Sequence, residues 1–147
     1  MRAGLGVFVL VLAAACGSDD SLSPPADIAG LWSYTVDLSN PALQATCNSS
    51  GGIDITLSGN TATGNATYDL TCTSPVLDFQ LAGVGPISHG TVDGVQVKFT
   101  DDNGCTYTGT ISGSPPDAIA GDVRCNVSTS EGNVRVTGTW AATRAAP

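Results

Sequence analysis

Lysine, glutamate, methionine and histidine are nearly absent. Lys98, Glu131, Met1 and His89 are each the only residue of their kind among 147. With Lys, Glu and Met this scarce, Thr, Val and Gly abundant and no uninterrupted helical periodicity, strands are the default expectation. Cations are also few. Five Lys and Arg stand against thirteen Asp and Glu, a net charge of −8, which makes nucleic acid and anionic lipid poor partners.

The same scarcity removes most chemistry. His89 has no cysteine or carboxylate spaced around it for a triad or a metal set, no G-x-S-x-G occurs, and Glu131 sits alone in the loop STSEGN. Aspartates are scattered over turns and outward positions, with no burial to raise a pKa for acid–base work. The run Asp101-Asp102-Asn103-Gly104 lacks the spaced further ligands and closing glutamate of a calcium loop, and its composition is that of a turn. Three N-x-S/T triplets, at Asn48, Asn65 and Asn126, read as chance matches in a Ser/Thr-rich chain. The expectation is a protein that is not an enzyme, with no cofactor and no metal.

From Ala3 to Ala15 thirteen residues carry no charge, after Arg2. That is shorter than the roughly 20 apolar residues of a membrane-spanning helix and has the outline of a cleaved signal peptide. The junction Leu12-Ala13-Ala14-Ala15-Cys16 resembles the lipobox of bacterial lipoproteins, although Ala13 stands where that family usually has leucine. The resemblance implies a lipidated Cys16 as the mature N-terminus, a membrane partner through that lipid, and a place in the bacterial cell envelope. Gly17 rather than aspartate after it leans toward the outer membrane. This reading explains the odd fifth cysteine; the alternative is ordinary cleavage that leaves Cys16 a free thiol.

The chain then divides as leader 1–15, anchor and flexible linker 16–27 (CGSDDSLSPPAD), and one domain 28–147. The linker has too few apolar groups to offset the entropy of ordering it.

Within the domain, the cysteines fix a register. If Gly59-Asn60 is a two-residue hairpin turn, Leu57 faces Ala62, Ile55 faces Gly64, Ile53 faces Ala66 and Cys47 faces Cys72. Folding about Pro115 places Ile111 opposite Ile119, Tyr107 opposite Val123 and Cys105 opposite Cys125. In both hairpins the intervening residues are polar, as a solvated face requires. Disulfides Cys47–Cys72 and Cys105–Cys125 are therefore predicted from the three connectivities that four cysteines allow.

Other strands follow the same alternation. Trp32, Tyr34, Val36 and Leu38 point inward in the first; Leu77, Phe79 and Leu81 follow Pro75. Ser88, Gly90 and Val92 then turn through Asp93-Gly94 into Val95, Val97 and Phe99, with His89 opposite Lys98 on the outside. Val134, Val136, Gly138 and Trp140 form the last. The fold class is all-β, an antiparallel up-and-down meander of about nine strands (eight to ten). Such a meander protects its edges as a closed or nearly closed barrel, the alternative being a β-sandwich. Inward glycines on five strands favour the bending that closure needs.

The first strand carries Gly30-Leu31-Trp32, and the last has Gly138-Thr139-Trp140 with Arg144 shortly after. This resembles the G-x-W of the lipocalin and wider calycin group, whose last strand often brings an arginine over that tryptophan. The likeness covers only the two ends, and the helix that follows the barrel in lipocalins has no counterpart before Pro147.

The aromatics beyond Phe8, namely Trp32, Tyr34, Tyr68, Phe79, Phe99, Tyr107 and Trp140, all fall on inward positions. Two readings stay open. They line a pocket for a small apolar ligand, as in lipocalin-like carriers; or they fill the core of a solid barrel that acts as a structural, protein-binding or inhibitor module of the envelope.

Overall fold

A computed structural model describes residues 22–75, 78–129 and 132–146, with the side chains of residues 79 and 127–129 outside that description. The expected leader, Cys16 and the linker up to residue 21 also lie outside it.

Eight strands form among the described residues: β1 (Gly30–Asn40), β2 (Ala45–Ser58), β3 (Thr61–Thr73), β4 (Phe79–Asp93), β5 (Gln96–Asp101), β6 (Cys105–Gly113), β7 (Pro116–Thr129) and β8 (Gly132–Arg144). Each pairs antiparallel with its sequence neighbour, and β1 pairs with β8, so the meander closes into a barrel. The connections β2–β3, β4–β5, β5–β6 and β6–β7 are tight turns, and a short 3-10 turn (Pro41–Leu43) joins β1 to β2.

Both cysteine registers are present as read. Cys47 opposes Cys72 and Cys105 opposes Cys125, and each pair is a disulfide with Cα atoms 4.1 Å and 3.9 Å apart. Inward alternation puts Trp32, Ile53, Ile55, Val97, Ile119 and Trp140 into one buried cluster. Closure needs bare backbone at close approaches: a Cβ on Gly138 would lie 1.7 Å from the Asp37 carbonyl oxygen, and one on Gly64 1.9 Å from that of Asp54.

Three details differ from the sequence reading, all around β4. The segments expected as separate strands near Leu81 and Val92 are one 15-residue strand. Gly83, within it, lies beneath the Tyr68 ring, where a Cβ would come within 2.6 Å of the hydroxyl. Second, the register shifts between Ser88 and Thr91, with His89 at φ 52°. That bulge switches the inward set from odd to even numbers, so Ser88 turns outward and its hydroxyl donates to the Thr100 carbonyl at 3.4 Å.

Third, the β4–β5 turn is Gly94-Val95 rather than Asp93-Gly94. Val92 opposes Val97 and Asp93 opposes Gln96, with Gly94 at φ 56° supplying the left-handed turn residue. Val95 is thereby exposed at the turn, and Lys98 opposes Thr91 instead of His89. Leu81 keeps its inward position yet is 51% exposed, because it lies at the end of the barrel that no described segment covers.

Candidate functional site

The barrel has two unlike ends. At one lie the start of β1, the end of β8 and the turns β2–β3, β4–β5 and β6–β7; at the other lie the connections β1–β2, β3–β4, β5–β6 and β7–β8.

The first end is capped by the chain itself. Residues 23–29 run across it as a strap: the Ala26 amide donates to the Gly94 carbonyl at 2.8 Å and the Gly94 amide to Ser23 at 3.4 Å. The Ser23 amide donates to Asp93 Oδ1 at 2.6 Å, and Asn60 Nδ2 donates to the Ser23 carbonyl at 2.8 Å. Ile28 drops from the strap into the core and is fully buried, while its carbonyl accepts the Trp32 indole N–H at 2.8 Å. The boundary expected at residue 27/28 therefore shifts: 22–27, the described part of the expected linker, belongs with the barrel. Composition marked it as a tether, whereas barrel turns supply its described part with hydrogen-bond partners.

Arg144 locks this cap. It opposes Trp32 across the β1–β8 seam and its guanidinium carbon lies 4.6 Å from the ring centroid. Nε donates to the Pro116 carbonyl (2.7 Å), Nη1 to Ala29 (2.7 Å) and Nη2 to Asp27 (2.8 Å). One planar fork thus ties the β6–β7 turn to the strap at two carbonyls, which only arginine's donor geometry permits.

Below the cap the described side chains pack closely. Phe99 and Tyr107 stack at 4.8 Å between centroids, and Trp140 meets them edge-on at 5.3 Å and 5.7 Å. The Trp140 indole donates to the Thr108 carbonyl at 3.0 Å. The cavity left among Ile28, Trp32, Ala62, Phe99, Trp140 and Ala142 is about 10 Å³, no more than one water needs. A barrel of eight strands is just wide enough for its side chains to fill.

Toward the second end the lining becomes polar and less covered. The Tyr34 hydroxyl donates to the Thr67 carbonyl at 3.1 Å and the Tyr107 hydroxyl to Asp101 Oδ2 at 3.3 Å. Burial pushes both phenols upward, and the Asp101 carboxylate adds to the effect at each. Asp101 Oδ1 accepts the amides of Asn103 (2.9 Å) and Cys105 (3.0 Å), so the DDNG segment is held as a turn by its own first residue. Leu38, Tyr68, Leu70, Val134 and Val136 are only half-buried here.

Of the residues singled out from sequence, Trp32, Phe99 and Trp140 are buried, Tyr34 borders on buried, and Tyr68 and Tyr107 are half-buried. Phe79 pairs with Cys72 through its backbone, and its side chain lies outside the described residues. His89 is exposed on the β4 bulge. Sequence reasoning missed the strap and Ile28, because an isolated isoleucine among Pro, Ala, Asp and Gly carries no periodicity; it also read Asn60 as a turn residue only. No protein-family model, no curated protein and no solved structure matches the chain.

Proposed function

We propose that this protein is a cell-envelope lipoprotein, anchored by lipid on Cys16, whose lipocalin-like barrel works as a solid, non-catalytic module and presents its uncapped end to a protein partner. The observation that carries the choice against an internal carrier is the filled interior, with about 10 Å³ left among the core side chains. A fatty-acid-sized ligand needs a cavity of several hundred Å³. The lipocalin-like part rests on the closed eight-strand barrel and on Arg144 over Trp32 at the β1–β8 seam. The anchor rests on the residues before Cys16.

Enlarging a residue on the residual cavity tests the solid interior. Ala142→Leu adds three carbons where a filled barrel has no room, and should destabilise by about 1–3 kcal/mol. A variant as stable as the parent, or more so, points to unfilled space and the carrier. The anchor is tested separately: Cys16→Ser, or the signal-peptidase inhibitor globomycin, should stop lipid-dependent maturation, and normal maturation of the mutant counts against it. A second reading, a small apolar ligand resting in the uncapped mouth, draws on the exposed Leu81 and half-buried Leu38 and Leu70 there.

A further inference from the structure

The strap fixes where the chain leaves the barrel, and so which end faces the membrane. From Ser23, held by Asp93 and Asn60, back to Cys16 is a span of seven residues, at most about 25 Å when fully extended. A 13-residue strand such as β8, tilted about 40° in a barrel, rises about 33 Å along the axis. A lipid on Cys16 therefore cannot be in the bilayer while the uncapped end rests on it.

The capped end also carries what such a contact needs. Leu22, Leu31 and Val95, exposed by 49%, 61% and 52%, stand at or beside it: Leu22 adjoins Ser23 on the strap, Val95 is in the turn the strap binds, and Leu31 is the second residue of β1. Side chains of this kind enter the headgroup boundary, and one lipid chain is held far better when a second contact assists it. The neighbouring Asp27, Asp93 and Asp117 are exposed, which disfavours anionic headgroups and commits the face to a zwitterionic surface.

We infer that the capped end is a bilayer-docking surface: Leu22, Leu31 and Val95 lie against zwitterionic headgroups, and the uncapped end points away from the membrane. This rests on Cys16 being the anchor. The test uses the full chain recovered from membranes and reconstituted in phosphatidylcholine vesicles. Hydroxyl-radical footprinting by mass spectrometry then reads side-chain exposure against the lipid-free chain, residues 17–147, in detergent-free solution. Oxidation of Leu22, Leu31 and Val95 should fall at least threefold, with Leu43 and Leu81 at the other end unchanged. In a Leu22→Ser/Val95→Ser double variant, protection of Leu31 should largely disappear. Equal protection at both ends, protection of Leu43 and Leu81 alone, none anywhere, or Leu31 protection that survives the double variant overturns the proposal. If the purified chain carries no acyl mass at Cys16, the anchor reading has failed by itself; coupling Cys16 of the same chain to a maleimide-headgroup lipid and repeating the footprint then decides the orientation independently.

Discussion

Replacing Arg144 by alanine removes three hydrogen bonds and a ring contact in one step. Each bond from the guanidinium to the carbonyls of Pro116, Ala29 and Asp27 is worth about 1 kcal/mol net. The contact over Trp32 adds about 0.5 kcal/mol at a partly exposed site. Taken together, Arg144→Ala should lose about 3.5 kcal/mol, or roughly 14 °C in Tm for a domain of this size. Arg144→Lys retains the charge and one donor but not the fork, and should lose about 2 kcal/mol. Urea unfolding followed by tryptophan emission measures both, and native-state hydrogen exchange at the Ala26 and Gly94 amides reports on the strap. Strap amides should exchange through a local opening in the variant well before global unfolding. An alanine variant within 0.5 kcal/mol of the parent, or a large loss with strap exchange unchanged, would refute the claim that Arg144 is what locks the cap.

Three further perturbations follow from the geometry. Removing the Cys47–Cys72 pair by double alanine substitution should destabilise by about 3.5 kcal/mol, and removing Cys105–Cys125 by slightly less, from separations of 25 and 20 residues in the chain-entropy account; losses under 1 kcal/mol in urea melts would contradict it. Gly138→Ala, which drives a Cβ onto the Asp37 carbonyl, should cost about 3 kcal/mol or more, whereas Gly85→Ala, with its nearest foreign atom at 4.0 Å, should change stability by under about 0.5 kcal/mol. Tyr34 and Tyr107 titrate above the ordinary phenol in the folded state. Above about pH 10 the unfolded chain loses protons that the folded one keeps, so their stabilisation is complete below that pH and declines as pH rises through it. The slope from Tyr107 should approach about 1.4 kcal/mol per pH unit, and Tyr107→Phe should remove that one proton; an unchanged slope in that variant would be evidence against the buried phenol.

Most of the barrel was legible because its information is local. Gly59-Asn60 and Pro115 sit midway between cysteines, so each hairpin carries its own register check, and period-2 alternation places Trp32, Tyr107 and Trp140 without knowledge of the closure. The β1–β8 seam was legible only through Gly30-Leu31-Trp32 and Arg144, residues 112 or more positions apart that pair in the barrel. β4 was harder to read, because Gly83 is required there by the Tyr68 ring, and because the bulge at Ser88-His89 exchanges inward and outward positions with no marker in composition. The strap could not be read at all. Its hydrogen bonds go to Gly94, Asp93 and Asn60, partners that only the closed barrel brings together.

Inward volume could not be weighed from sequence either, since a glycine facing inward makes room or bends a strand with the same letter. Gly138 and Gly64 are taken up by backbone approach, and the aromatics fill what remains. The claim of a solid barrel is tested most directly by native mass spectrometry of the lipid-free chain, residues 17–147, read beside tryptophan emission during titration with a long-chain fatty acid. A bare protein mass and an unmoved emission maximum are expected. Reproducible extra mass from an apolar compound, lost on unfolding and accompanied by a shift in emission, would contradict the filled interior and return Trp32, Phe99 and Trp140 to the lining of a pocket.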